Sequence, residues 1–154
     1  MNDEDSPRVS VPPPLIILGT MLAGLAVEPG FGDWPAMSAA AAVPAAFLGA
    51  AGLAIGALAL GLFKRFQTRP EPWKPASVLV TTGVYRFSRN PMYVGMLLIY
   101  AAVALLFRST SAGVLLLPLI LVLDQLIIRR EEEYLRRRFG TPYEEYRRRV
   151  RRWI

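Results

Sequence analysis

The stretch LVTTGVYRFSRNPMYVG, residues 79–95, is a polar and aromatic turn between two strongly apolar segments, and the rest of the chain is arranged around it. Gly83 permits a tight turn, since glycine reaches backbone conformations that bulkier residues resist. Pro91 suits the first turn of a helix, and Asn90 just before it is a favourable cap. A plain loop between membrane helices does not need so much specific chemistry. This core stretch, as residues 79–95 are called below, is therefore the first candidate for a functional site.

The composition indicates an integral membrane protein. Apolar residues make up 53% of the 154 positions, and the charged residues occur in blocks. The absence of cysteine and histidine excludes disulfides, zinc-thiolate sites, cysteine nucleophiles and the commonest general base. The net charge of +6 comes from arginines that flank apolar segments, which favours a membrane surface over nucleic acid. We therefore expect a lipid bilayer as partner, and neither nucleic acid nor a metal.

Four apolar segments predict an all-α, polytopic membrane protein. They cover residues 15–27, 36–63, 91–107 and 112–128. The second segment contains Gly52-x-x-x-Gly56, a spacing of small residues that lets helices approach closely in lipid. The expected organisation is one membrane-embedded domain: a flexible lead over residues 1–14, four transmembrane helices within 15–128, and a helical cytoplasmic tail over 129–154.

The polar connections predict the orientation of these helices. Residues 28–35 contain no lysine or arginine, residues 64–77 are basic and proline-rich with Trp73 at the interface, and residues 108–111 form a tight turn. Six basic residues lie between the second and third segments and ten arginines follow the fourth, whereas the two opposite loops carry only Arg108. By the positive-inside rule, both termini and the core stretch lie on the cytoplasmic side.

The tail is expected to continue as helix. Residues 129–139 extend the helical pattern and Gly140 ends it. Thr141-Pro142-Tyr143-Glu144 then predicts a second helix with Thr141 as cap of a capping box. Aromatic and apolar residues recur along it at three- and four-residue steps, between arginines. This amphipathic helix either lies on the membrane or folds back over the core stretch.

Acidic residues near the end of the fourth segment are candidates for chemistry. Asp124 and Glu131 fall on one face of a regular helix, so both are expected to face the same cavity. The alternative is that Asp124 pairs with an arginine at the interface, and that Glu131, Glu132 and Glu133 pair with neighbouring arginines on a solvated face. For Glu133 we favour that alternative.

The chain resembles the isoprenylcysteine carboxyl methyltransferase family, whose relatives include membrane phospholipid N-methyltransferases. The resemblance covers residue 77 to the C-terminus and rests on three separated elements in the same order: the core stretch with Tyr85, Arg89-Asn90-Pro91, Tyr93 and Gly95; Glu131-Glu132; and Phe139-Gly140 with Tyr143 and Tyr146. It implies that S-adenosylmethionine binds at the cytoplasmic membrane surface and that a lipophilic or amphipathic acceptor is methylated.

The resemblance also implies roles for individual residues. The implied cofactor-binding residues are Ser77, Val78, Leu79, Val80, Tyr85, Asn90, Pro91, Met92, Tyr93 and Glu131. The catalytic group is expected to comprise Arg89, Asn90, Glu131 and Glu132. Asp124, Arg129 and Arg130 are the candidates for binding the acceptor.

Three positions depart from the family pattern. Members that act on prenylcysteine usually have histidine where this chain has Ser77 and Asn90. Their substrate-contacting arginine, four residues before the cofactor glutamate, aligns with Ile127. Asn90 can still donate and accept hydrogen bonds, which preserves cofactor binding. The loss of arginine at Ile127 argues against a prenylcysteine carboxylate acceptor, unless Arg129 or Arg130 takes over.

The residue inventory is compatible with methyl transfer, because this reaction depends on alignment of donor and acceptor and needs no protein nucleophile. A carboxylate acceptor requires no base. An amine acceptor does, and the candidates are Glu131, Glu132, Asp124 or water. Tyr85 or Tyr93 is suited to face a sulfonium, although either also suits an interfacial aromatic belt.

Two alternative functions remain at this stage. A non-enzymatic scaffold or transporter subunit would place its function in the Ala- and Gly-rich second segment. A membrane reductase would bind a nicotinamide cofactor in a similar arrangement of helices.

Overall fold

The computed structural model describes residues 11–27, 39–68 and 76–154, and in these ranges the regular structure is helical. The helices are α1 (Pro13–Ala26), α2 (Ala39–Arg65), a 3-10 helix (Gly83–Arg86), α3 (Pro91–Leu106), α4 (Thr110–Val122), a π-helical segment (Leu123–Ile128), α5 (Arg129–Phe139) and α6 (Thr141–Arg149). The predicted all-α class is confirmed for the described ranges. Residues 1–10, the loop at 28–35 and Trp73 lie outside them. Pro13 and Pro14, expected in the flexible lead, already belong to α1.

Two helical runs are long and apolar enough to cross a membrane. They are Ala40–Arg65 and the continuous run Thr110–Phe139, whose apolar part ends at Ile128. Helix α5 is the charged part of this run and follows the apolar part. Helices α1 and α3 are apolar but have only 14 and 16 residues, fewer than the roughly 20 that cross the hydrocarbon core. Two candidate spans are thus present in the described ranges, and the count of four stays a prediction.

Helices α2 and α3 touch at their glycines. A Cβ atom built on Gly52 would lie 2.6 Å from the carbonyl oxygen of Gly95, and one built on Gly95 would lie 2.8 Å from that of Gly52. The backbone of Gly56 also borders Gly95. The small-residue spacing in α2 therefore serves close helix packing, as the sequence indicated. This contact fixes the start of α3, and Tyr93 with it, against α2.

The largest apolar cluster joins α1, α3, α4 and the π-helical segment. Its most buried members include Tyr100, Leu123 and Ile128. The hydroxyl of Tyr100 donates to the carbonyl of Ala112 at 3.0 Å, which links α3 to α4 within the cluster. Trp153, near the C-terminus, packs against the same cluster. The end of the chain therefore returns to the helical core.

Several predicted helix ends are corrected. Asn90 precedes α3, but its side chain makes no capping bond because it donates elsewhere. The capping box at Thr141 is also wrong: Thr141 is the first residue of α6, Gly140 is the cap position, and no side chain caps the helix. Gly140 does end α5, with a φ of 57°. The turn expected over 108–111 is shorter, since α4 begins at Thr110 and the Ser109 hydroxyl accepts from the Ala112 N–H.

The π-helical segment changes the direction of the residues that follow it. A π turn is wider than an α turn, so side chains on either side of it lose the regular α-helical phase. On a regular helix, Asp124 and Glu131 were expected to face the same cavity. This expectation is wrong, because the π-helical segment lies between them. The Asp124 carboxylate instead meets the same arginine as Glu132.

Candidate active site

The centre of the candidate site is a hydrogen bond between α3 and α5. The Tyr93 hydroxyl donates to Oε1 of Glu131 at 2.5 Å, across 38 residues of sequence. The Tyr93 side chain is buried, and Glu131 is partly buried. A short bond of this kind is typical of a hydroxyl that donates to a carboxylate. Two residues that the sequence assigned to the cofactor are therefore in direct contact.

The carboxyl group of Glu131 is largely shielded from solvent. Burial raises the pKa of Glu131 to about 7; the hydrogen bond from Tyr93 opposes this shift and the charge of Glu132 adds to it. Burial also raises the pKa of Tyr85, and the nearby charge of Glu131 contributes. Tyr85 therefore stays neutral and lies close enough to Glu131 to sense its charge. The carboxyl group of Glu131 is poised to change protonation near neutral pH.

An apolar wall closes one side of the site. Val80, Tyr85 and Ala59 of α2 form a buried cluster, and Met92 packs against it. The rings of Tyr85 and Phe63 meet edge to face with centroids 5.7 Å apart. The structure therefore brings together five of the residues that were assigned to the cofactor: Val80, Tyr85, Met92, Tyr93 and Glu131.

The segment before this wall lies beside α5. The N–H of Ala76 donates to the hydroxyl of Tyr134 at 2.9 Å, and Tyr134 follows Glu131 by three residues, on the same side of the helix. The N–H of Ser77 donates to the Thr68 hydroxyl at 3.2 Å. The side chains of Ser77 and Val78 are exposed, and that of Leu79 is partly exposed. These three residues are thus anchored near Glu131 without being enclosed.

Asn90 and Pro91 lie at the start of α3, and Asn90 bonds the C-terminal segment. Asn90 is 8% exposed, and its side-chain amide donates to the carbonyl of Arg152 at 2.9 Å. Its own N–H donates to the Ser88 hydroxyl at 3.0 Å. Pro91 is buried as the first residue of α3. The amide of Asn90 is therefore used to hold the C-terminal segment.

A cluster of four charges lies next to this bend. Glu132 is paired with Arg89 at 2.9 Å and with Arg152 at 2.6 Å, and Arg152 also pairs with Asp124 at 3.0 Å. The indole N–H of Trp153 donates to Asp124 at 3.0 Å. Asp124 and Glu132, expected to bind acceptor and to act in catalysis, thus both have arginine partners.

Sequence reasoning did not single out Arg152. The available signal was that two carboxylates near a membrane boundary require a cation. Ten arginines follow the fourth apolar segment, so their sequence positions do not identify the partner.

Two donor atoms of the Arg89 guanidinium have no hydrogen-bond partner among the described residues. Its side chain is 10% exposed and Nη2 is paired with Glu132. Within the described ranges, its Nε and Nη1 atoms are buried and have no hydrogen-bond partner. Unpaired buried donors are rare in folded proteins, and they suit an acceptor that arrives with a ligand.

Arg129 and Arg130 are exposed at the start of α5. Arg129 borders a groove of about 340 Å³ whose other walls include Glu132, Tyr143 and Arg152, and whose lining does not include Tyr93 or Glu131. The groove places Arg129 beside Glu132 and Arg152 of the charged cluster. In the part of the chain that the structure describes, no group of three or more acidic side chains is arranged to hold a metal ion.

Comparisons with known proteins identify a family and one relative. A family model described as phospholipid methyltransferase matches residues 42–142, which include the core stretch and Glu131. An uncharacterised protein of Haemophilus influenzae is 41% identical over 63 residues, which amount to 41% of this chain and 100% of that protein. No solved structure matches the chain.

Proposed function

The chain belongs to the phospholipid methyltransferase family, and from this premise we propose that it is a membrane methyltransferase that uses S-adenosylmethionine. Its acceptor is a lipophilic or amphipathic molecule that enters the site sideways from the lipid. The family supports a membrane methyltransferase that acts on lipid. The cofactor, the acceptor class and the residue roles below are parts of the proposal.

The observation that carries the proposal is the contact between Tyr93 and Glu131. A partly buried carboxyl group that accepts a hydrogen bond at 2.5 Å from a tyrosine hydroxyl has lost hydration on folding, and such groups are candidates for function. It lies beside an apolar wall on one side and a charged cluster on the other. Such a boundary suits a ligand with one apolar part and one charged part.

The residues present fit the cofactor. Glu131 offers an acceptor for the ammonium group or the ribose hydroxyls, and the neutral phenol of Tyr85 suits a sulfonium. The free Nε and Nη1 atoms of Arg89 suit the carboxylate of the methionine part. When bound, the cofactor supplies a methyl group on a positively charged sulfur.

The chain's own contribution is to hold the two reactants in line. Alignment of this kind is worth about 7–11 kcal/mol of barrier reduction. If the acceptor is an amine, it must lose a proton. Asp124 and Glu132 are held by arginines, whereas burial raises the pKa of Glu131 to about 7, so Glu131 is the better base.

The acceptor is more consistent with a phospholipid than with a prenylcysteine carboxylate. Ile127, which replaces the substrate-contacting arginine of the prenylcysteine enzymes, is 3% exposed within the apolar cluster. The exposed Arg129 and Arg130 lie just beyond the apolar part of the last long run, where a headgroup phosphate can reach them. We assign them the binding of the headgroup, and we assign Asp124 a structural pairing with Arg152.

A titration with S-adenosylhomocysteine tests the proposed function. The purified protein in detergent is expected to bind this product, and Glu131→Gln and Tyr93→Phe are expected to weaken binding. The loss of a hydrogen bond to a charged group corresponds to about tenfold to a hundredfold in affinity. Isothermal titration calorimetry provides the dissociation constants.

Glu133→Gln is the matched control. Glu133 lies on the same helix, but it is exposed and pairs with Arg136 at 3.3 Å, so its removal should leave affinity unchanged. Absence of binding to the unmodified protein, or equal affinity for all four proteins, would contradict the proposal. A thermal shift with NADPH in place of S-adenosylhomocysteine would instead favour a reductase.

The acceptor is identified by labelling. Cells with and without the protein are fed methionine labelled in its methyl group, and the extracted lipids are compared. A labelled phospholipid that disappears with Glu131→Gln is the expected result. Label in a prenylated peptide would contradict the assigned acceptor class.

A further inference from the structure

Arg152 links the two parts of the chain that carry the candidate site. Its guanidinium donates twice to Glu132, at 2.6 and 3.1 Å, and twice to Asp124, at 3.0 and 3.2 Å. Its carbonyl accepts from the side chain of Asn90 at 2.9 Å and from the Ser88 hydroxyl at 3.3 Å. One residue near the C-terminus thus contacts α5, the π-helical segment and the bend before α3.

These contacts lie directly beside the two residues of the central hydrogen bond. Glu132 is the neighbour of Glu131 on α5, and Asn90 precedes Tyr93 by three residues at the start of α3. The distance between Tyr93 and Glu131 therefore depends on how α5 and the bend are joined, and the Arg89–Glu132 ion pair is one direct link between them. Arg152 joins them with its side chain on one side and its backbone on the other.

The charges around Arg152 are balanced and mostly enclosed. The side chains of Arg89, Glu132 and Asp124 are 10%, 11% and 15% exposed, and that of Arg152 is 28% exposed. Removal of the Arg152 guanidinium would leave two carboxylates with Arg89 as the only other arginine paired in this cluster. A carboxylate that loses its partner in such surroundings moves toward water. Glu132 would keep only Arg89, so we expect its carboxylate to turn toward Arg89 and toward water and to displace Glu131 along with it.

We propose that Arg152 is a positioning residue that acts on the ligand through Glu131, by holding α5 and the bend of residues 88–90 at the distance that the Tyr93–Glu131 contact requires. This inference rests on the proposed function for its ligand. The Tyr93–Glu131 hydrogen bond can also be observed directly, without any ligand. Arg152 touches neither Tyr93 nor Glu131 in the hydrogen bonds described above, so its effect is indirect.

The first experiment measures S-adenosylhomocysteine affinity for Arg152→Gln, Arg152→Lys and Arg151→Gln. Arg152→Gln should weaken binding on the order of tenfold, because a displaced Glu131 would lose much of its hydrogen bond to the ligand. Arg152→Lys should lie between it and the unmodified protein, since one ammonium does not reproduce a guanidinium fork. Arg151 is exposed, and among the described residues its contact is made by the backbone carbonyl, which accepts from the N–H of Arg89. Arg151→Gln should therefore bind normally.

A double variant separates positioning from loss of fold. In a Glu131→Gln background, Arg152→Gln should weaken binding by less than about twofold, because the residue through which it acts has already been changed. A full tenfold loss in that background would overturn the inference. So would normal affinity of Arg152→Gln in a protein whose unmodified form binds the ligand, an outcome that leaves the proposed function intact.

The second experiment observes the contact without ligand. The protein is labelled with 3-fluorotyrosine, and the fluorine resonance of Tyr93 is identified with Tyr93→Phe. Arg152→Gln should move this resonance toward its position in Glu131→Gln, whereas Arg151→Gln should not. An unmoved resonance in folded Arg152→Gln would overturn the inference even if the unmodified protein binds no S-adenosylhomocysteine.

Discussion

Glu131 and Glu132 are neighbours in sequence, but their surroundings are opposite. Glu132 lies between two arginines, at 2.9 and 2.6 Å. Glu131 accepts from a neutral tyrosine, and burial raises its pKa to about 7. Glu132 is thus suited to hold the structure together, and Glu131 to take part in binding and proton transfer.

The affinity for S-adenosylhomocysteine should depend on pH through Glu131. Its charged form, which attracts an ammonium group, becomes populated as the pH rises through about 7. Affinity should therefore increase between pH 6 and 8, on the order of tenfold for a single group. Calorimetric titrations at several pH values measure this change. Glu131→Gln serves as the control: a pH dependence as steep as that of the unmodified protein would show that another group is responsible.

The raised pKa of Glu131 makes stability decrease with rising pH, whereas it makes the expected affinity increase. The folded state binds the proton of Glu131 more tightly than the unfolded chain does, because burial raises the pKa of this carboxyl group from its ordinary value of 4.5 to about 7. The contribution of Glu131 to stability is therefore complete below the unfolded pKa and is lost as the pH rises through about 7. Binding and folding thus favour different protonation states of one carboxyl group.

At the scale of elements, two local features determine where the site residues point. The glycine contact between α2 and α3 sets the position of the start of α3. The π-helical segment at residues 123–128 sets the phase of α5, so that Glu131 faces Tyr93 while Asp124 and Glu132 share Arg152. Short π-helical segments are frequent at functional sites, where they redirect side chains.

Replacement of Gly52 by alanine should separate α2 from α3. The added Cβ would lie 2.6 Å from the Gly95 carbonyl oxygen and 2.9 Å from Cγ1 of Ile99. We expect destabilisation of about 1–3 kcal/mol, as for other overpacked sites, together with weaker binding of S-adenosylhomocysteine because Tyr93 moves with α3. Thermal unfolding in detergent and calorimetry measure the two effects.

Gly61→Ala is the control on the same helix. A Cβ atom there would meet nothing within 4 Å, so the change should be neutral or slightly stabilising, since alanine favours helix. Equal effects of the two replacements would mean that the contact with Gly95 is not what makes Gly52→Ala unfavourable.

At the scale of the whole molecule, the C-terminal part folds back over the core stretch. The hydroxyl of Tyr146 on α6 donates to the carbonyl of Tyr85 at 2.8 Å, and the N–H of Arg89 donates to the carbonyl of Arg151 at 3.0 Å. Of the two arrangements left open by the sequence, contact with the core stretch is the one observed. Burial raises the pKa of Tyr146, which keeps its hydroxyl available as a donor.

The orientation in the membrane can be tested with introduced cysteines, because the chain has none of its own. Thr82 and Thr110 are both exposed and lie on opposite sides of α3 in sequence. If α3 crosses the bilayer with the core stretch on the cytoplasmic side, an impermeant maleimide added to intact cells should label Thr110→Cys and spare Thr82→Cys. In inverted vesicles the pattern should reverse.

The labelling also tests the number of spans. Labelling of both positions from the same side would contradict a spanning α3, and with it the four-helix topology. Labelling of Thr82→Cys alone in intact cells would contradict the cytoplasmic placement of the core stretch, which rests on the distribution of lysine and arginine.

The sequence by itself determined the all-helical class, most helix positions and the use of small residues of α2 in close helix packing; it also predicted that Tyr93 and Glu131 lie close together, while their common role in one site stays a prediction. Those features follow from local composition, from hydrophobic runs and from motif order, each readable within a short window or by resemblance. The capping roles of Asn90 and Thr141 were misjudged because both depend on where a side chain finds its partner in space.

Only the tertiary structure decided which charges pair. Arg152 lies 20 residues from Glu132 and 28 from Asp124 in sequence, and its partners depend on the π-helical phase and on the return of the chain after α6. Long-range ion pairs of this kind have no local signal, because any of several arginines would satisfy the same carboxylate. The path of the backbone selects one of them.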